Sequence, residues 1–174
     1  YQTELEKQGV NCKLEIGLIR SHYIGRTFIQ PGQANREIGV KIKFNTVKGV
    51  LEGRTVVLVD DSIVRGTTSK QLVKLIRDAN PKSIHLRISS SPITHPCFYG
   101  MDFPSKEELF ANNFDSNISE MGKYLGVDSL EYLTTDEMLE AVSEAGKDNF
   151  CYACFSGKYP IEVDHQYKKE MYEI

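Results

Sequence analysis

Long apolar runs are missing from this chain. None approaches the ~20 residues that a membrane-spanning helix needs, so a membrane is not expected among its partners. The opening residues, YQTELEKQGV, are polar and show no signal-peptide pattern. Positive charge is not in excess either: 21 Lys and Arg stand against 24 Asp and Glu, for a net charge of -3. A nucleic-acid footprint is usually basic, so nucleic acid is not expected as a partner. No internal repeat and no low-complexity tract is present. Cysteine is scarce, with only Cys12, Cys97, Cys151 and Cys154. With no export signal the default location is cytoplasmic. There a Cys-x-x-Cys pair reads as metal-binding or redox-active rather than as a structural disulfide. The chain also lacks an initiator Met and opens on what reads as the middle of a helix. A piece of a longer or processed chain is therefore expected.

What is present suits one domain: 174 residues, 40% of them hydrophobic. Residues 14–19, LEIGLI, read as a strand. Residues 20–48 form a long stretch rich in Gly, Gln and Arg, and only Val40 to Phe44 alternates like a strand. A loop of that length is a functional lid or disordered. After Gly53, the β-branched run TVVLVD fits a parallel strand buried on both faces. Leu72, Val73, Leu75, Ile76 and Ala79 recur at helical spacing, predicting a helix over 69–79 that Asn80-Pro81 stops. IHLRI at 84–88 is a second strand. Strand, helix and strand make a right-handed βαβ unit. Beyond it, Pro92, Pro96 and Pro104 punctuate the chain. Ser105 with Glu108 predicts a capping box opening a helix to about Asn112. Ile118, Met121 and Leu125 predict another helix, and Leu130 to Leu133 a short strand. Thr134 with Glu137 predicts a second box and a helix to about Glu144. The pattern assigns two strands to the parallel sheet.

The stretch with the most chemistry is VVLVDDSIVRGTTS, residues 56–69. In an open parallel sheet, ligands gather at the carboxyl ends of the strands, and Asp60 and Asp61 stand at that end. The turn then leads into a helix, whose first N–H groups bind anions. Gly66 allows close approach of the backbone. Thr67, Thr68 and Ser69 add hydroxyl donors. One end of such a site wants a phosphate. The other offers carboxylates for sugar hydroxyls or Mg²⁺. A phosphate beside a diol is a ribose 5-phosphate. No G-x-x-x-x-G-K is present, so this is not a Walker A loop. A lone Asp before Ser and Thr reads as helix capping; two adjacent acids before RGTTS favour a ligand. Cys151-x-x-Cys154 taken alone leaves three readings open: half a zinc site, a redox pair, or part of an iron–sulfur site. Cys97 lies between proline-containing turns, where backbone N–H groups could reach a thiolate. Its other reading is a buried thiol.

The 56–69 stretch resembles the phosphoribosyl pyrophosphate signature of type I phosphoribosyltransferases, and within that class the amidophosphoribosyltransferase family. HYIGRTFIQPGQANRE (22–37), SPITHPCFYGMDFPSKEELFANN (91–113) and CYACFSGKYP (151–160) resemble the same family. The matching segments cover most of the chain between Leu14 and Pro160. The resemblance implies an α/β fold with a parallel sheet flanked by helices, incomplete at its N-terminal side, and a helical or irregular C-terminal segment. Residues 1–174 would then be a partial phosphoribosyltransferase domain. Its donor-binding core and flexible loop would span 14–113, and its cysteine-bearing segment 114–174.

The family makes phosphoribosylamine from phosphoribosyl pyrophosphate and glutamine-derived ammonia, the first committed step of purine synthesis. The resemblance implies that Asp60 and Asp61 hold the ribose hydroxyls and Mg²⁺, and that Ser62 and Arg65 to Ser69 cradle the 5-phosphate. Tyr23 and Arg26 would act in catalysis from the loop that closes over the donor. Closure keeps a cationic reacting centre from water, and Arg26 can stabilise the departing pyrophosphate. From the residues alone, both read equally well as surface positions. Cys97, Cys151 and Cys154 would be ligands of a [4Fe–4S] cluster with a structural and regulatory role, the fourth ligand lying upstream. Cys12 matches no ligand position. Purine nucleotides as feedback inhibitors, a glutaminase part and a homo-oligomer, commonly a tetramer, complete the implied partners.

The chain also departs from the family. The glutaminase nucleophile is an N-terminal Cys, and residue 1 is Tyr. The upstream strand and pyrophosphate-binding loop have no counterpart, so this piece alone is expected to be inactive. Two other classes compete. One is a non-enzymatic, donor-sensing regulator on the same fold, which would carry a DNA-binding domain and a basic face. The other is a zinc-stabilised interaction module built on CYAC.

Overall fold

The computed structural model describes residues 1–20, 44–101, 103, 105–142, 144 and 149–163. In chain order these form α1 (Gln2–Lys7), β1 (Leu18–Arg20), β2 (Phe44–Thr46), α2 (Lys48–Leu51), β3 (Thr55–Asp60), α3 (Thr67–Asp78) and β4 (Ser83–Ile88). Two 3-10 turns, Lys106–Glu108 and Phe110–Phe114, precede α4 (Ile118–Leu125), β5 (Ser129–Tyr132), α5 (Thr135–Ala141) and α6 (Ala153–Ser156).

The predicted βαβ unit is present. β3 and β4 run parallel, with Val56 opposite Ile84 and Asp60 opposite Ile88. β5 adds a third parallel strand, Leu130 opposite Leu86, so the sheet order is β3-β4-β5. The sequence assigned only two strands to this sheet. β5 is the short strand predicted at Leu130 to Leu133, found at Ser129–Tyr132; its place in the sheet comes from packing and was not assigned. A separate antiparallel pair joins β1 to β2, with Ile19 opposite Asn45. The predicted 14–19 strand is replaced by Leu18–Arg20; Leu14 and Ile16 are exposed, and among the described residues only Leu18 to Arg20 pair with β2. The alternation predicted from Val40 falls outside the described residues except at Phe44, which opens β2.

Alternation on β4 sets the layers. Ile84, Leu86 and Ile88 are all buried and lie on one face. The apolar stripe of α3, Leu72, Val73 and Ile76, ends in Ala79. Val73, Ile76 and Ala79 cover Ile84 together with Leu51. α4 supplies Met121 and Leu125, which pack with Leu86, Ile88, Leu130, Ile63 and Phe110. Each fully buried aliphatic side chain contributes about 1.5–3 kcal/mol. Both helices lie on this same face, and Lys70 of α3 stacks its ammonium 3.6 Å over the ring of Tyr124 on α4.

The expectation that β3 is buried on both faces is not met among the described residues. Val59 is 55% exposed. On β4, the residues facing away from the helices are His85 and Arg87, both bonded to Ser129 Oγ, at 2.8 and 2.9 Å. The run of valines reports strand preference, which β-branched residues have on a half-buried face too.

The two predicted capping boxes part ways. At α5 the box forms. Glu137 N–H donates to Thr134 Oγ1 at 3.2 Å, and Thr134 N–H to Glu137 Oε2 at 2.7 Å. That helix stops at Ala141, short of Glu144. At Ser105 there is no side-chain cap, and only a three-residue 3-10 turn follows. The Glu108 carboxylate accepts instead from Arg65 Nε at 2.9 Å. A 3-10 turn has no full helical ladder to terminate, and a guanidinium is a stronger partner than a backbone amide.

Candidate functional site

The site begins where β3 stops. Asp60 closes the strand, and its carbonyl accepts from Ser89 N–H at 3.0 Å, which ties the strand end to the exit of β4. Asp60 is half-buried, while Asp61 and Ser62 follow it toward the surface. Asp61 N–H donates to Asp60 Oδ1 at 3.0 Å, and Ser62 Oγ donates to Asp61 Oδ1 at 3.0 Å. Burial holds the Asp60 carboxyl above its ordinary range; the Asp61 N–H pulls it down, and the neighbouring Asp61 carboxylate pushes it up again. A half-buried carboxylate beside a second one favours a cation or hydroxyl donors next to it.

The loop then turns back into the molecule. Ile63 is buried, and Val64 C=O accepts from Phe110 N–H at 2.8 Å. Arg65 is held by Glu108 through Nε. An exposed pair of this kind contributes under about 1 kcal/mol, so its role is orientation. Gly66 takes φ 74° as the N-cap of α3, and no side chain caps the helix. The first turn of α3, Thr67, Thr68 and Ser69, therefore presents its N–H groups without a side-chain cap at the carboxyl end of β3. Such N–H groups and the helix dipole attract an anion. A Cβ on Gly66 would stand 2.5 Å from Phe110 Cδ2. Glycine is therefore required twice, by its backbone angle and by the buried ring.

Asp60, Asp61, Ser62, Arg65, Gly66, Thr67, Thr68 and Ser69 thus lie on one continuous strand end, turn and helix start. Tyr23 and Arg26 lie outside the described residues. Sequence reasoning missed Glu108 and Phe110, which support the loop. They stand 43 or more residues away, and no local spacing signals that contact.

A second constellation joins residues 94–99 to 151–161. Thr94 and His95 N–H groups donate to Cys154 C=O at 3.1 and 3.0 Å, and Thr94 Oγ1 donates to Phe155 C=O at 3.2 Å. Tyr159 OH donates to Pro96 C=O at 2.7 Å, and Tyr99 OH to Ile161 C=O at 2.9 Å. Gly157, at φ 73°, closes α6 directly against His95, whose Nε2 would be 2.6 Å from a Cβ there. Cys97, Cys151 and Cys154 are free thiols. Cys97 Sγ accepts from Tyr99 N–H at 3.4 Å, as the sequence suggested for a backbone donor. Burial, and then the neighbouring Cys97 and Cys151, push the Cys154 thiol up to about 11. Tyr159 is raised too, by burial first and then by the same thiols. A half-buried thiol with two further thiols beside it is a setting that a positive centre would relieve. Among the described residues no group of three or more His, Cys, Asp or Glu could hold a metal ion. Cys97, Cys151 and Cys154 lie on the two segments that these hydrogen bonds join. Cys12 stands elsewhere, its carbonyl accepting from Gln2 Nε2 at 3.1 Å.

Among the described residues no helix is long and apolar enough to cross a membrane. The parallel sheet with flanking helices, ending on an acidic pair and an uncapped helix start, is a type I phosphoribosyltransferase fold. The chain is homologous over most of its length to amidophosphoribosyltransferases, and it matches their C-terminal part. It is 54% identical over 86% of its length to the chloroplastic amidophosphoribosyltransferase of Vigna aconitifolia, and 52% identical over 88% to the amidophosphoribosyltransferase of Synechococcus elongatus; in each case it spans 30% of the relative. It is 48% identical over 86% of its length to that of Bacillus subtilis, spanning 32% of it. The solved glutamine phosphoribosylpyrophosphate amidotransferase of B. subtilis complexed with ADP and GMP is similar to it, with a TM-score of 0.73 and 45% identity, covering 93% of this chain and 35% of that one. No protein-family model matches the chain.

Gly66→Ala is expected to destabilise the protein by about 2–4 kcal/mol, from left-handed backbone strain together with overpacking. Phe110→Leu in the same chain should restore part of that loss by removing the ring. Urea unfolding of the two single variants and the double variant measures both terms.

Proposed function

We propose that this chain is the donor-binding part of an amidophosphoribosyltransferase. That enzyme forms 5-phosphoribosylamine from phosphoribosyl pyrophosphate and glutamine-derived ammonia, the first committed step of purine biosynthesis. The observation that carries the reading is the uncapped start of α3 lying directly after Asp60 and Asp61 at the carboxyl end of β3. The homologues favour this enzyme over a donor-sensing regulator. In our reading residues 14–113 hold the donor site, and 114–174 carry the cysteine pair.

The residues divide the donor between them. The N–H groups and hydroxyls of Thr67, Thr68 and Ser69, with Gly66 beneath, receive the 5-phosphate, and Ser62 and Arg65 border it. Asp60 and Asp61 accept from the ribose hydroxyls and hold Mg²⁺. Their donor set fits that ion, since both are carboxylates and one has its charge disfavoured by burial. Mg²⁺, when bound, neutralises charge on the pyrophosphate leaving group. The ammonia lone pair forms the new C1–N bond as the C1–O bond breaks. The bonding electrons leave with pyrophosphate, and the nitrogen gives a proton to solvent. Tyr23 and Arg26 act from the stretch between β1 and β2, excluding water and stabilising the leaving group.

Cys97, Cys151 and Cys154 are assigned as three ligands of a [4Fe–4S] cluster that ties the C-terminal segment to the body. A fourth ligand comes from outside this chain. A glutaminase part supplies ammonia, and the assembled enzyme is a homo-oligomer, a tetramer by family habit. The B. subtilis relative complexed with ADP and GMP supports purine nucleotides as feedback inhibitors. The free thiols suit a reducing location, cytoplasmic in our reading, although plant relatives are named as chloroplastic.

Calorimetric titration of phosphoribosyl pyrophosphate with Mg²⁺ tests the donor site. Asp60→Asn/Asp61→Asn removes two charged acceptors and should weaken binding about 100-fold or more. Binding that survives the double substitution unchanged contradicts the assignment.

Anaerobic reconstitution with iron and sulfide tests the thiol set. Wild type should develop a brown chromophore that Cys97→Ser greatly reduces. Zinc uptake with no iron chromophore would instead favour the interaction module.

A further inference from the structure

The donor loop and the thiol pocket are 25 or more residues apart in sequence, yet a short run of hydrogen bonds joins them. Asn112 sits at its middle. Its Nδ2 donates to Thr94 C=O at 3.0 Å and to Lys106 C=O at 2.8 Å. Both partners are carbonyls, so only the NH₂ end of the amide satisfies the arrangement, and both of its protons are used. On one side, the Thr94 peptide continues into the thiol pocket, because its N–H donates to Cys154 C=O. On the other, Lys106 opens the turn that carries Glu108, which holds Arg65. Two residues further on, Phe110 donates its N–H to Val64 C=O and lays its ring under Gly66. The segment is rigid where it matters, since Leu109, Phe110 and Ala111 are almost fully buried.

We propose that Asn112 is a positioning residue that couples the phosphate loop, 62–69, to the thiol pocket around Cys154. It touches neither donor nor thiol. It clamps residue 94, which is bonded to α6, to residue 106, which leads the turn supporting the loop. A shift of α6 is passed to Thr94, then through the amide to the 106–110 turn, and so to Arg65 and Gly66. Coupling of this kind is reciprocal: whatever orders the phosphate loop also orders α6. The proposal rests on the donor-site reading for its ligand arm only.

Hydrogen exchange followed by mass spectrometry on the intact chain tests it, with wild type, Asn112→Leu and Asn112→Ser. Leu keeps an apolar body with no donor, and Ser can serve only one carbonyl. Without ligand, Asn112→Leu should speed exchange about two- to tenfold in both 62–69 and 151–157, the loss of one to two hydrogen bonds. Asn112→Ser should fall between it and wild type, and it decides the matter alone if the Leu variant does not fold. Faster exchange confined to 94–95 and 106–114, with the two distant segments unchanged, overturns the coupling. With ribose 5-phosphate and Mg²⁺ added, wild type should slow in both distant segments, and Asn112→Leu only in 62–69. If ribose 5-phosphate leaves 62–69 of wild type unchanged, the donor-site reading fails, and the ligand-free comparison still decides the coupling.

Discussion

Phe110 packs its ring where a side chain on Gly66 would stand, and the geometry of the donor loop depends on that contact. The ring belongs to the main core cluster, alongside Leu86, Ile88 and Met121, so it cannot move without disturbing the sheet. Gly66 must then be a glycine in the left-handed region, and α3 starts with no side-chain cap. An uncapped helix start is a cost to the fold, because its first N–H groups have no side-chain partner. The same cost is what makes the turn receptive to a phosphate. A Ser or Asp at residue 66 would cap the helix, strain the backbone, strike the ring and compete with the ligand for the same donors.

The carboxylate pair follows the same logic from the other side. The parallel register of β3 on β4 brings Asp60 level with Ile88, at the end of the sheet where the strand carbonyls give out. Burial there penalises the charge on Asp60, and its neighbour adds repulsion. The fold thus brings N–H donors without a side-chain cap and a pair of carboxylates together within residues 60–69. A molecule with a phosphate at one end and hydroxyls or a bound cation at the other meets both needs at once. In the thiol pocket, burial and two neighbouring thiols disfavour charge on Cys154, and the bonds of Thr94, Pro96 and Tyr99 to the 154–161 segment hold the pocket together.

Much of this was readable from the chain itself, and the limits have physical causes. β3, α3 and β4 announce themselves because each is long enough for its periodicity to show, and VVLVDDSIVRGTTS is contiguous, so its chemistry can be read in one window. The box at Thr134 was readable because both of its bonds are local. The box at Ser105 misled for the converse reason: Glu108 is drawn to Arg65, a partner 43 residues away that local spacing does not reveal. Two-sided burial of β3 was inferred from composition alone, which cannot distinguish a β-branched strand covered on one face from one covered on both. The third parallel strand was missed in the sheet because Ser129–Tyr132 is four residues long and is fixed by its partner, not by its own pattern. Asn112 gave no signal at all, since its role lies in two carbonyls contributed by other turns.

In the proposed site the first turn of α3 receives a phosphate through its backbone. The most direct measurement is a titration of the ¹⁵N-labelled chain with ribose 5-phosphate, followed through its backbone amide resonances. The amides of Gly66, Thr67, Thr68 and Ser69 are expected to move most and saturate together, with Asp60 and Asp61 following when Mg²⁺ is added. Shifts centred on another surface, with these four amides unmoved at saturation, would contradict it.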